Sequence, residues 1–261
     1  MNIIEAIYKR KSIRKYVPYN ISQSDFGDVE NLVNNVQSLY SEIQMKITLI
    51  KEGIKIQEIS KGIIGSYGKI EAPHYMVITS EEKEGYLENI GYTLEQIVLE
   101  LADRGIGTCY IGGSIKKELL KDIMEIPSNQ KPIIVVAFGY PANEPELEIK
   151  ELENFKRKAL EDIIIGNYEE KFREIFNLVR VAPSAINLQP WRLYVNENSI
   201  DLYANKGNIL TKGLSHFSEL DSGIALKHLE LGCKERNITF EIKNQKLEDK
   251  KNLKYITSVM L

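Results

Sequence analysis

The chain has few of the residues that staple or metallate a fold. Its 261 residues include two cysteines, three histidines and one tryptophan. Cys109 and Cys233 form no CxxC pair and are too few for a thiolate zinc site. His74, His216 and His228 fall in no HExxH-like spacing, so no metal site is expected. A disulfide-dependent secreted scaffold is not expected on the same count. Long apolar runs are missing too. The longest clear one, residues 133–138, is far too short to span a bilayer. The opening MNIIEAIYKRKSIRKY lacks the apolar core of a signal peptide, so a cytoplasmic location and no membrane partner are expected. Charge of either sign is in little excess: 34 Lys+Arg against 37 Asp+Glu leave a net charge of −3, which argues against a nucleic-acid or membrane-surface protein. Hydrolase signatures are absent as well, with no GxSxG and no carboxylate pair at a telling spacing.

What remains is ordinary globular material, 43% hydrophobic and 27% charged. A chain of this length buries roughly three quarters of its unfolded surface and holds a core without staples. It suits one large domain or two small ones. Apolar spacing predicts helices over 3–10, after a cap at Ser22 or Ser24, over 86–104, through 115–124, around Phe172–Val179 and over 216–236. Strands are expected over 45–50, 75–79, around TCYIGG, over 132–139, 192–196, 200–204, near 238–243 and over 254–260. Residues 51–70 are ambiguous, and the charged stretch 142–162 reads as a surface connector. Both halves run helix, strands, then a long helix into a strand, which suggests a diverged duplication with halves 1–162 and 163–261.

Three segments could carry chemistry. Lys9-Arg10-Lys11-Ser12-Ile13-Arg14-Lys15 puts five cations and one hydroxyl into seven residues. Forked arginine donors, a point-charge lysine and a short serine bond suit a phosphate, although a solvated basic patch has the same composition. The second segment, residues 105–113, reads GIGTCYIGG. It fails the GxGxxG test because Tyr110 stands where the last glycine belongs and a helix precedes it. Two readings stay open: a helix cap followed by a glycine-closed strand, or a backbone open to a flat ligand. The third, Ala182-Pro-Ser-Ala-Ile-Asn-Leu-Gln-Pro-Trp191, sets Ser184, Asn187 and Gln189 between two prolines, where amides can recognise the edge of a heterocycle. A polar loop anchored by a buried Trp191 is the plainer alternative.

Jointly these segments resemble the FMN-dependent nitroreductase family. RKSIRKY is similar to its arginine-serine signature, GIGTCYIGG to the segment under its flavin ring, and APSAINLQPW to its Pro-Ser-Asn-Gln-Pro-Trp loop. VVAFGYPANEPELEIKELENFKRKALEDII resembles its strand, Gly-Tyr-Pro turn and basic stretch. Residues 20–70 and the C-terminal third match poorly. In ordinary members the Pro-Ser-Asn-Gln-Pro-Trp loop follows the arginine-serine signature in the same half; here it comes in the second half, which lacks a GIGTCYIGG equivalent. The family is usually a homodimer that holds flavin between protomers.

The resemblance therefore implies an α+β, nitroreductase-like fold, a mixed or antiparallel sheet flanked by helices. Two diverged halves would form an intrachain pseudo-dimer, a monomer with one FMN between its halves. Arg10, Lys11 and Ser12 would hold the phosphate, joined by Arg157 and less surely by Lys158. Arg14 would reach the pyrimidine edge or ribityl chain. Backbone at Tyr110, Ile111, Gly112 and Gly113 would lie against the ring, and Ser184, Asn187 and Gln189 would meet its edge. The implied activity is hydride transfer from NAD(P)H through flavin N5 to a nitroaromatic, quinone or similar flat acceptor, with no catalytic side chain. A non-catalytic flavin carrier or sensor is the alternative, and a nucleic-acid-binding protein built on the basic patch is a third reading.

Overall fold

Ile3, Ile4 and Ile7 share one stripe of the first helix, α1 (Ile3–Lys9). Ser22 caps the second, α2 (Gln23–Asn35), by accepting the Asp25 N–H at 3.0 Å, the bond that Ser offers an orphan amide at a helix start. The computed structural model describes residues 3–60, 70–112, 116–143, 147–207 and 215–261. The chain divides into two compact units. One comprises Lys9–Tyr86 with Ile97–Ile149; the other comprises Asn2–Tyr8, Leu87–Gln96 and Lys150–Leu261.

The first unit is built on a four-stranded antiparallel sheet. Its strands are β1 (Met45–Ile50), β2 (His74–Ser80), β3 (Gly107–Ile111) and β4 (Lys131–Gly139), in the order β1-β2-β4-β3. β2 is buried along its whole length, as an inner strand must be when both faces are covered. One core cluster gathers Ile13, Tyr16, Tyr75, Val77, Cys109, Ile111, Val135 and Ala137. The ambiguous segment contains α3 (Gly53–Ser60), anchored there by Ile56, which is 1% exposed. The helix expected through 115–124 is shorter, α5 (Lys117–Leu120). Lys117 Nζ bends back to the carbonyls of Pro127 and Gln130, and the chain turns after Leu120. Residue 115 lies outside the described residues. The predicted long helix is α4 (Tyr86–Asp103), after which Gly105 turns at φ +75°.

The second unit carries a five-stranded sheet: β5 (Ile164–Ile165), β6 (Trp191–Val195), β7 (Ser199–Asn205), β8 (Glu241–Lys243) and β9 (Leu253–Met260), ordered β5-β6-β7-β9-β8. Only β5–β6 is parallel. The end of the supposed connector enters α6 (Leu160–Ile163), which runs into β5, because Leu160, Ile163 and Phe155 are all buried. Two helices complete the unit, α7 (Arg173–Val181) and α8 (Ser215–Glu235). Within it the first half of α4 crosses α8 with glycine on both sides. A Cβ on Gly91 would lie 1.9 Å from Leu220 O, and one on Gly223 2.1 Å from Glu88 O, so only glycine permits this approach.

The second sheet repeats the first. Apart from β5, the order β6-β7-β9-β8 matches β1-β2-β4-β3, all antiparallel. In each the long helix sits between the second and third strands in sequence and leads to an edge strand. The architecture is a mixed α+β fold of sheets flanked by helices, as expected.

Candidate functional site

The cationic segment does not trail into solvent. Ser12 bridges Thr108 in parallel, with the Ile13 N–H donating to Thr108 O at 2.8 Å. Val17 N–H then donates to Tyr140 O and Ala142 N–H to Lys15 O, so the segment lies along β3 and the exit of β4. Gly107 makes this possible: a Cβ there would stand 2.6 Å from Ile13 Cγ1, and Ile13 is fully buried. A basic run is thereby converted into a partial strand at the edge of a sheet.

That placement gathers Arg10, Ser12 and Arg14 around Cys109. Burial pushes the Cys109 thiol above its usual range, while the charges of Arg14 and Arg10 and a hydrogen bond with Ser12 pull it back. Arg10 is only 6% exposed, and among the described residues no carboxylate pairs with it. Arg14 is exposed, with Nη1 donating to Ser12 O at 3.4 Å; Lys11 and Ser12 are half-buried. Tyr110 and Ile111 continue β3 past the Thr108 bridge and Gly112 follows it, with Ile111 in the core and the other two half-buried. Gly113 lies outside the described residues.

The second unit assembles the remaining predicted residues. Pro183 follows α7, and a 3-10 turn over Ala185–Asn187 leads to Trp191, which is fully buried at the head of β6. Ile186, Asn187 and Gln189 take left-handed backbone, at φ 43°, 62° and 48°. That is uncommon for any side chain and strained for a β-branched one. Side chains hold the turn in shape. Ser184 Oγ accepts Gln189 N–H at 2.9 Å, and Asn187 Nδ2 donates to Lys156 O at 2.8 Å. Gln189 Oε1 accepts Lys158 N–H at 2.7 Å, and its Nε2 donates to Asn187 O at 2.9 Å. Arg157 donates to Asn187 Oδ1 and Val181 O. Arg157, Ser184, Asn187 and Gln189 therefore form one network, separate in kind from the Arg10–Ser12–Arg14 cradle of the first unit.

One residue expected at the phosphate takes a different part here, and one contributor escaped the sequence reading. Lys158 is a clamp: its Nζ donates to Leu188 O at 2.7 Å and Gln189 O at 3.2 Å, and burial, with the charge of Arg192, lowers its pKa. Asp221, on α8, accepts the Ala185 N–H at 3.0 Å from a position 3% exposed. A carboxylate on the apolar stripe between Phe217 and Ile224 was the available signal. Among the described residues there is no group of His, Cys, Asp and Glu able to hold a metal, and no helix long and apolar enough to cross a membrane.

Comparison with known proteins places this geometry in context. A family model described as "Putative TM nitroreductase" matches residues 2–233. A curated protein of Archaeoglobus fulgidus, "Putative NADH dehydrogenase/NAD(P)H nitroreductase", is 23% identical over 152 residues, covering 55% of this chain and 87% of that protein. The crystal structure of a "putative nitroreductase" from Thermotoga maritima superposes with a TM-score of 0.64 at 22% identity, covering 100% of this chain and 93% of the other. A nitroreductase from Bacteroides fragilis, described with bound FMN, gives a TM-score of 0.50 at 20% identity, covering 64% of this chain and 100% of its own. At these identities the two structures bear on fold alone.

Proposed function

The chain belongs to the nitroreductase family, and from that premise we propose that it is an FMN-dependent oxidoreductase. It would take hydride from NAD(P)H and deliver electrons to a nitroaromatic, quinone or similar flat acceptor. The observation that carries this reading is the cradle on β3. A buried arginine with no carboxylate partner among the described residues, beside a serine hydroxyl and a second arginine, suits a phosphate dianion. The Bacteroides fragilis relative, described with FMN, supports the choice of ligand.

The donor set fits FMN. Arg10 and Ser12, with Lys11, would bind the phosphate, and Arg157 is proposed as a further phosphate donor. Arg14 would orient the pyrimidine edge or the ribityl chain. The backbone over 110–113 would lie against the ring. Ser184, Asn187 and Gln189 are proposed as ring-edge contacts. Both amides are already engaged within their own unit, so their part is to keep the turn rigid and its backbone presented. Bound FMN would supply the two-electron chemistry, so this reading requires no side-chain nucleophile. The repeated strand order supports reading halves 1–162 and 163–261 as a fused pair, in which a monomer does the work of two subunits with one FMN per chain.

The visible spectrum of the purified protein tests this. A flavin spectrum at one FMN per chain, bleached by anaerobic NAD(P)H, is expected. Colour that NAD(P)H leaves unbleached points to the carrier or sensor reading, and a protein that takes up no FMN sinks the proposal. Replacing Arg10 and Ser12 together removes forked and hydroxyl donors and is expected to abolish FMN retention.

A further inference from the structure

One buried acid has no place in that account. Asp221 is in the second turn of α8, and its Oδ2 accepts the Ala185 N–H at 3.0 Å. Burial holds this carboxyl well above the usual carboxylate range, and the Ala185 amide offsets that only in part. Burying an acid is costly, and the hydrogen-bond partner it has among the described residues is one backbone amide, so the contact calls for a reason. The amide it satisfies opens the turn in which Ile186 stands at φ 43°, ψ 28° and Asn187 at φ 62°. Strained backbone persists where the surroundings over-determine it, and here the restraints are divided. Ser184 closes the turn on itself, and Arg157 and Lys158 tie it to the basic stretch. Asp221 ties it to α8, the long helix of the unit.

We propose that Asp221 is a positioning residue: through Ala185 it fixes the backbone of the 184–189 turn and so sets how firmly that turn engages bound FMN. The second half of this statement rests on the reading that the turn touches flavin; the first half does not. Asp221 touches neither cofactor nor substrate in this account and acts only through the amide it holds. An oxygen acceptor at this point is what matters, so asparagine should serve and leucine should not.

The test compares Asp221→Asn with Asp221→Leu in the purified full chain. Amide hydrogen exchange is followed in the peptide covering 184–189 and, as a control, in β7, alongside the dissociation constant for FMN. Loss of a buried donor's partner is expected to raise exchange at 184–189 in Asp221→Leu by roughly tenfold or more, with β7 unchanged. FMN binding should weaken by a similar factor. Asp221→Asn should restore both to within about threefold of the wild type. Wild-type protection of 184–189 in Asp221→Leu would overturn the proposal. Faster exchange with unchanged FMN affinity would overturn its link to the flavin and would fault the ring-edge role of the loop, leaving the β3 cradle untouched. Should Asp221→Leu fail to fold, Asp221→Ser, whose hydroxyl is too short to reach, takes its place with the same expected exchange.

Discussion

The Arg157 guanidinium donates from Nη1 to Asn187 Oδ1 at 2.8 Å. Its Nη2 donates to Val181 O at 3.0 Å, so one side chain joins the end of α7 to the amide loop. Asn187 answers with a bond from Nδ2 to Lys156 O at 2.8 Å. The basic stretch and the loop, 30 residues apart in the chain, are one piece of structure.

Removing the amide that joins them should therefore be felt in stability as well as in flavin retention. Asn187→Ala takes an acceptor from both Arg157 Nη1 and Gln189 Nε2, and a donor from Lys156 O. In this partly exposed setting the expected loss is about 1–2 kcal/mol in thermal or urea denaturation. An unchanged midpoint would mean that water replaces these bonds without cost.

Ile186 offers a prediction of the opposite sign. It is 59% exposed, so its side chain contributes little burial, while its backbone is left-handed at φ 43°. Ile186→Gly removes that strain and is expected to raise stability by up to about 1 kcal/mol, the higher entropy of the unfolded glycine chain offsetting part of the gain. A fall in Tm would show that Ile186 makes a contact worth more than its strain.

His228 and Glu95 set a proton count. The ring Nδ1 lies 2.8 Å from Leu178 O, which can only accept, so Nδ1 carries hydrogen. Nε2 lies 2.9 Å from Glu95 Oε1, and one further proton must be held there, on either the ring or the acid. Glu95→Gln can donate to a neutral ring and is expected to cost less than about 1 kcal/mol, whereas Glu95→Leu strands a buried ring nitrogen and should cost about 1–3 kcal/mol. Chemical denaturation of the two variants distinguishes them; equal losses would contradict this assignment of hydrogens.

Asp221 also makes stability depend on pH. Its unfolded carboxyl releases a proton near the ordinary 3.8, while the folded one holds it until well above that value. Between those two points the folded state carries the extra proton, so stability from this group falls as pH rises and levels off above the folded pKa. Asp221→Asn does not titrate. The Tm of Asp221→Asn minus that of the wild type is therefore expected to grow from pH 4 toward neutrality. Parallel Tm curves for the two proteins would refute this.

Much of the fold was legible because its signals are local. The Ser22 cap, the apolar run that becomes β4 (Lys131–Gly139) and the Gly105 stop all act within a few residues. The ambiguous 51–70 segment and the shortened helix at α5 (Lys117–Leu120) were less readable, since Ile56 and Lys117 are held by partners distant in sequence. In α8 (Ser215–Glu235) the charges themselves mislead. Lys227, His228 and Glu230 would each read as solvated, yet all are buried. Burial alone would raise the Glu230 pKa, but Lys227, Lys234 and the Tyr92 hydroxyl hold the carboxylate below its usual range. None of those pairings shows in a helical period.

By itself the sequence determined most of the elements, their repeated order, a basic segment and an amide loop, because propensity, capping and periodicity are short-range properties of the chain. Tertiary structure alone decided that Gly107 would let Ile13 seat the basic segment on a strand, that Arg10 would be buried there, and that Asp221 would stand behind Ala185. Those outcomes depend on desolvation and on atoms meeting within about 3 Å across long stretches of chain, and both arise only once the chain has packed.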